Sequence, residues 1–175
     1  MITEKNTIKC EAIFNEDRTH RYLWRRVWDR GKPLVSVIML NPSQADNIVT
    51  DTTTALVVNN VAKCEEFGGV DILNLYSKLT TKLKFNEESD EELNHDENDA
   101  FIVKSVMESD KTILAWGKAA DVNQRIEKRA IEVVNLLEKH HDKLFVISDG
   151  IRSGLHPLTP CIRNKWILEK FKITD

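Results

Sequence analysis

Four short apolar runs, each closed by a compact polar signature, organise this chain. VSVIML runs into NPSQAD, VDIL into NLYSKLT, TILAW into GKAAD, and LFVIS into DGIRSGLHPLTP. A few consecutive apolar residues followed by polar residues and a helix mark a strand buried on both faces of a parallel sheet. The pattern predicts core strands over Leu34 to Leu40, Val70 to Leu73, Lys111 to Ala115 and Leu144 to Ser148. Helices are expected between them. One starts at Asp51 or a following Thr and runs to about Phe67, with Gly68-Gly69 as its stop. A second spans Glu97 to Glu108, with Phe101, Ile102 and Val106 at helical spacing. A long third helix, Asp121 to His140, places Ile126, Ala130, Val133, Val134 and Leu137 on one face. A closing helix is expected over Ile162 to Phe171.

The first thirty residues follow a different period. Tyr22, Trp24, Arg26 and Trp28 alternate with Arg21, Leu23, Arg25 and Val27, as in a strand. With IKCEAIF before it and NEDRTH as the turn, this segment predicts a hairpin covering one sheet edge, its tryptophans used for packing. The strict alternation of strand and helix elsewhere implies a parallel sheet with helices on both sides. The expected architecture is α/β: one three-layer α/β/α domain over residues 1–175, with a central four-stranded parallel sheet and an N-terminal β-hairpin.

Composition narrows the class. The chain has 175 residues, 41% hydrophobic and 30% charged, enough for one well-packed soluble domain. It contains no apolar stretch near the roughly 18 residues of a membrane helix, so no membrane partner is expected. MITEKNTIKCEAIF lacks the basic-then-apolar order of a secretory signal, and a cytoplasmic location is expected. Cys10, Cys64 and Cys161 are odd in number and widely spaced, so they suggest buried or incidental thiols and neither a disulfide framework nor a zinc site. A net charge of −3 argues against tight non-specific binding to duplex DNA, which rests on a basic face. A local patch could still come from Arg21, Arg25 and Arg26, or from Arg152, Arg163 and Lys165. The acidic stretch Glu87 to Asp99 is expected to be a solvated loop leading into a helix; its other reading is a surface that mimics DNA.

The chemistry is expected at the strand ends, where open α/β sheets gather their ligands. Asn41-Pro42-Ser43 follows the first core strand: proline ends the ladder, and the Asn41 amide suits positioning a water or reading a base edge. Asp46 and Asp51 lie close behind; either could act as a base, with helix capping the favoured role of Asp51. Asn74 ends the second strand, and Tyr76 two residues later could stack on a flat ligand. Trp116 and Gly117 end the third, the glycine allowing a turn or a close approach. His156, in a loop after Gly150 and Gly154, could donate a hydrogen bond to developing negative charge. His140 and His141 complement a helix C-terminus. No Walker sequence, GxGxxG, GxSxG or HExxH is present, so no cofactor and no metal are expected.

From RYLWRRVW through MLNPSQAD, DILNLYSKLT, LAWG and LHPL the chain resembles the domain-of-unknown-function family 1643 of bacteria and phages. More distantly, the ordered quartet LNPS, ILNLYSKLT, ILAWG and HPLTP resembles the motifs of the uracil-DNA glycosylase superfamily. That resemblance implies a fold of the glycosylase type and a site at Asn41, Pro42, Ser43, Asn74, Trp116, Gly117 and His156. In the hydrolysis of an N-glycosidic bond Asn41 would position the water, Asn74 would read the base edge, and His156 would donate to a carbonyl oxygen of the leaving base. The implied partner is a nucleobase, a nucleotide or DNA, including single-stranded DNA. The chain departs from the superfamily at three places. Asn41 stands where many members carry aspartate, Ser43 replaces the aromatic residue that excludes thymine, and Leu158 replaces a serine. Specificity for uracil is therefore not implied, and a non-catalytic nucleobase or nucleotide pocket, of the kind found in a phage or defence-associated domain, is the alternative.

Overall fold

The computed structural model describes residues 1–43 and 49–172. The domain is built on one mixed sheet of seven strands, and its chain order explains where the polar signatures end up. The strands are β1 (Lys9–Phe14), β2 (Arg21–Val27), β3 (Leu34–Met39), β4 (Gly69–Asn74), β5 (Lys111–Leu114), β6 (Leu144–Ser148) and β7 (Ile167–Lys170). Their order across the sheet is β1-β2-β4-β3-β5-β6-β7. The neighbours β4, β3, β5 and β6 run parallel, while β2 joins β4 and β7 joins β6 in antiparallel pairing.

Side chains on successive residues of the central strands feed two separate cores, as the period of two requires. Ile38, Leu73 and Leu114 pack on one face beneath α3 (Asn98–Glu108) and α5 (Gln124–Leu136). Val37, Ile72 and Ile113 pack on the other, with α1 (Thr52–Lys63) and the C-terminal Ile162 and Trp166. Burial on both sides is why these strands are apolar without alternation.

The N-terminal hairpin does more than cover an edge, because β2 is hydrogen-bonded into the sheet. A register shift between Ile13 and Phe14 pairs Leu23 with Ile13 but Arg21 with Phe14, leaving Tyr22 as the extra residue. Tyr22 stacks on Phe101 of α3, the side on which Leu23 also packs. Trp24 is buried in the opposite core, and the half-buried Trp28 donates its indole N–H to the Phe67 carbonyl at 3.1 Å, so both tryptophans serve packing. Arg21, Arg25 and Arg26 form no exposed basic patch. Arg21 is buried, Arg25 is held by a buried carboxylate, and Arg26 lies over the Trp24 ring.

That carboxylate is Asp71, in the middle of β4 and wholly buried. Arg25 donates to both its oxygens at 2.6 Å, and the Ser105 hydroxyl donates to one of them at 2.7 Å. Ser105, its own hydrogen given to Asp71, accepts from the Ser36 hydroxyl, and Ser36 accepts from Ser109. The chain of hydroxyls carries the ion pair from the hairpin through the sheet to the end of α3.

Other elements differ from expectation for local reasons. Helix α1 starts as predicted, with the Asp51 side chain accepting from the Thr54 amide, but it ends at Lys63 instead of near Phe67. Glu65, at φ 55°, makes the turn after it. Gly68 is required for a different purpose: a Cβ there would stand 1.8 Å from the Asp29 carbonyl oxygen. The Gly68 carbonyl accepts from the amides of both Trp28 and Asp29, which locks the end of β2 to the start of β4.

The long helix is broken in three. A short α4 (Ala119–Val122) stops at Asn123, whose side chain caps α5 by accepting from the Arg125 and Ile126 amides; a 3-10 segment, Glu138–Lys143, follows. The closing helix is absent. Pro160–Ile162 forms a 3-10 turn, and Ile167–Lys170 is a strand, because the free edge of β6 offers it a ladder. The new strand β7, with the two strands of the hairpin, turns the expected four-stranded sheet into one of seven.

The acidic stretch is tethered. It contains α2 (Asp90–Leu93), too short to stand alone but fixed by a capping box between Ser89 and Glu92 and by the fully buried Leu93. Glu88 pairs with Lys78, Asp90 with Arg125, and Asp99 with Arg129. Three of its carboxylates are thus paired within the molecule, and the segment is ordered against α5 and β4 instead of being a free loop, while Glu87, Glu91, Glu92, Asp96 and Glu97 remain exposed.

Among the described residues, no helix is long and apolar enough to cross a membrane. The three cysteines are free and exposed.

Candidate functional site

The C-terminal ends of the parallel strands open into a cavity of about 410 Å³. Met39, Leu40, Asn41 and Ser43 of the segment after β3 form one wall. Asp51 and Thr52, Thr53 and Thr54 at the start of α1 form a second, and His156 and Leu158 a third. Arg21 from the beginning of β2, with Thr80 and Thr81, completes it.

Each wall has a local cause. The buried Pro42 ends the β3 ladder, and the Asn41 amide is then anchored by donating to the Thr80 carbonyl at 2.6 Å and to the Pro42 carbonyl at 3.2 Å. Both hydrogens of that amide are committed, so what Asn41 offers a ligand or a water is its carbonyl oxygen. Ser43 donates its hydroxyl to Asp51. Asp51 also accepts the Thr54 amide at 2.8 Å and the Thr54 hydroxyl at 3.1 Å. These donors hold the Asp51 carboxyl below its ordinary value, even though burial pulls the other way. Capping, and not proton abstraction, is what its geometry serves. Asp46, the other carboxylate considered as a base, lies outside the described residues.

His156 is held against the end of β5. Gly117 has φ +68°, and a Cβ on it would stand 2.6 Å from the His156 Cβ. The glycine is thus required twice, by its own backbone conformation and by the approach of the histidine loop. Gly117→Ala is expected to cost about 1–3 kcal/mol, read as a lower thermal midpoint, and to weaken any ligand binding at His156. A fully stable variant with intact binding would show that the contact is dispensable.

The His156 ring is half-buried, and its Nδ1 accepts the Leu158 amide at 3.1 Å. A backbone amide can only donate, so Nδ1 carries no proton and the neutral ring has its N–H at Nε2. Burial lowers the His156 pKa from 6.5, which favours this neutral donor. The buried His20 is lowered in the same direction, by burial first and then by His95 and Lys78. In both cases the unfolded chain takes up protons that the folded one refuses. Stability from these two rings is complete above about pH 6.5 and is lost as the pH falls through that value towards the folded-state pKa. Urea midpoints at pH 8 and pH 5 should show the loss, with a shallower dependence in His20→Gln.

The remaining predicted residues lie around the cavity and not in its wall. Asn74 pairs in register with Met39, a wall residue, and is 1% exposed; neither its amide nitrogen nor its carbonyl oxygen has a hydrogen-bond partner. Leaving both ends of a buried amide unmet is costly unless something polar reaches them. Trp116 is half-buried and packs on the α3/α5 core. Tyr76 is separate from the site. It packs edge-on against Phe85, donates its hydroxyl to the Arg125 carbonyl at 2.9 Å, and borders a different cavity of about 270 Å³ beside α5. Arg152 is tied to Asp149 and Arg163 to the Leu158 carbonyl, which removes much of the second basic patch considered from sequence.

From the sequence Arg21 was expected only as part of a surface basic patch, and the threonines only at a helix start. The threonine cluster DTTT was visible as a helix start; the turn of Arg21 into the cavity depends on the register shift at Tyr22, which no local pattern announces. Among the described residues, no group of three or more His, Cys, Asp and Glu side chains is placed to hold a metal ion.

A family model described as "Protein of unknown function (DUF1643)" matches residues 21–158, the span that carries every wall of the cavity. No curated protein and no solved structure matches the chain.

Proposed function

The chain belongs to the DUF1643 family, and from the cavity its matched span encloses we propose that it recognises a nucleobase and hydrolyses an N-glycosidic bond in the manner of a DNA glycosylase. One observation carries this reading: a neutral histidine with its N–H at Nε2 shares a cavity with the Asn41 side chain, whose carbonyl oxygen is left to accept. Departure of a base leaves negative charge on its carbonyl oxygen and positive charge on the sugar. A preorganised neutral donor stabilises the first without having to give up its proton. The Asn41 carbonyl oxygen suits the second task, holding a water beside C1′ by accepting one of its hydrogens. The water oxygen bonds to C1′ as the C1′–N bond breaks, and the proton it loses passes to the departing anionic base. Asn74, buried beside the wall residue Met39 with both ends of its amide unmet, is the group that would read the base edge. The run of four parallel strands with polar signatures at one rim supports a glycosylase-like fold for the same reason.

The substrate would be a uracil-type or modified base. No step in this scheme requires a metal or a cofactor. Incubating the purified protein with nucleosides, nucleotides and single strands containing uracil, hydroxymethylated and other modified bases should release free base, followed by chromatography. No release from any of them would overturn hydrolysis. A stabilising shift in melting temperature with the same compounds would then support the alternative, a binding pocket without catalysis, which the occupied Asn41 amide and the absence of an aspartate at position 41 favour.

A further inference from the structure

We infer that His20 is an acid-operated latch on the cavity. On taking up a proton it releases Ser77, and so loosens residues 77–81, the loop that supplies Thr80 and Thr81 to the wall and anchors Asn41. This control acts on the order of the wall, whatever the cavity binds. Ser77 is wholly buried and stands where three segments remote in sequence meet. His20, just before β2, brings its ring Nδ1 to 2.9 Å from the Ser77 hydroxyl. His95, from the acidic stretch, brings its backbone amide to 2.9 Å from the same oxygen. Backbone contacts continue the seam. The Arg21 amide donates to the Ser77 carbonyl at 2.9 Å, the Leu79 amide to the Thr19 carbonyl at 2.8 Å, and the Thr80 amide to the Pro42 carbonyl at 3.2 Å. The Asn41 amide then donates to the Thr80 carbonyl at 2.6 Å.

The count of protons makes His20 the sensitive member. A backbone amide only donates, so the Ser77 oxygen accepts from His95, and the Ser77 hydrogen goes to Nδ1 of His20. The ring is therefore neutral, with its N–H at Nε2. A second proton would occupy Nδ1, turn it from acceptor to donor, and leave the buried Ser77 hydrogen without its acceptor. It would also place a charge in a buried ring that, among the described residues, bonds to no carboxylate. The charged and titratable groups around it give little help. Lys78, its partner across an antiparallel bridge, is a cation already held by Glu88 at 2.6 Å. The His95 ring lies 5.6 Å away, its Nδ1 on the Tyr22 hydroxyl at 2.8 Å and Glu97 beyond it at 3.7 Å. Burial first, then His95 and Lys78, hold the His20 pKa below 6.5. The latch is thus closed above about pH 6.5 and opens as the pH falls through the folded-state value. The acidic stretch keeps its other anchors, the Arg125 contact with Asp90 and the buried Leu93, so the opening is local.

The test is hydrogen–deuterium exchange of the full chain, read by mass spectrometry from pH 8 to pH 5 with labelling times scaled for the intrinsic rate. Peptides covering residues 77–81 should lose protection below about pH 6.5, approaching about tenfold per pH unit, the limit for coupling to one proton. Those of β3 and β5 should stay protected. His20→Asn puts an amide oxygen in place of Nδ1 as a non-titrating acceptor. It should keep the protection seen at pH 8 and show no acid loss. Should that variant fail to fold, the His20 ring titration in the unmodified protein, followed by NMR, decides: its midpoint must coincide with the loss of protection, and a separate midpoint would overturn the latch. Loss in step with β3 and β5 would make the effect a global unfolding and overturn it as well. So would protection that does not change with pH. Acid loss undiminished in His20→Asn would assign the proton to another group and remove His20 from the role.

Discussion

Asp71→Ala is expected to lower the unfolding free energy by about 3–5 kcal/mol, the usual cost of removing one partner of a buried ion pair. The reason lies in what remains. Arg25 would keep its charge with only the exposed Glu108 carboxylate, at 3.3 Å, to meet it, and the Ser105 hydroxyl would lose its acceptor, loosening the Ser36 and Ser109 contacts behind it. Urea denaturation gives the value directly. Replacing both partners, as in Arg25→Met with Asp71→Leu, should recover most of the loss, since neither charge is then stranded. A single variant within about 1 kcal/mol of the unmodified protein would show that water reaches the pair and screens it, as at a surface.

His156→Ala should reduce base release by about 10²–10³, the range seen when one preorganised donor to a developing oxyanion is deleted. His156→Gln, which keeps an N–H donor on a side chain of similar length, should fall between the two. The fold should survive both changes, because the ring is only half-buried and its hydrogen bond is to its own loop. Single-turnover rates with saturating substrate, alongside circular dichroism, separate chemistry from stability. Release within about threefold of the unmodified rate would remove the histidine from the mechanism, since a loss that small is below what a donor of this kind contributes.

The parallel core and its polar rim were legible because a strand buried on both faces has no choice of composition. VSVIML, VDIL, TILA and LFVIS all became strands, and their following residues all lie at the same end of the sheet. Asp51 could be recognised as a cap from its place before a run of threonines. Two of the differences share a cause, an element fixed by a neighbour remote in sequence. ILEK is short enough to be helix or strand, and the open edge of β6 decided. Gly68-Gly69 looked like a helix stop, whereas contact with Asp29 is what demands the first glycine. Asn123 did carry a local signal, an asparagine before a helical run, which the hydrophobic spacing across it concealed. Asn41, Ser43 and His156 line one cavity, Asn74 and Trp116 are left outside its wall, and Tyr76 packs in the core beneath α3 and α5.

The walls of the cavity come from β2, from the segment after β3, from the loop following β4 and from the loop beyond β6. A nascent chain therefore has no pocket until the last of these has left the ribosome, and no excised half of the protein could keep one. Ligand binding should consequently report on completed folding of the whole domain. Any lesion that frays the hairpin at one end or the histidine loop at the other would silence it well before the bulk of the secondary structure is lost.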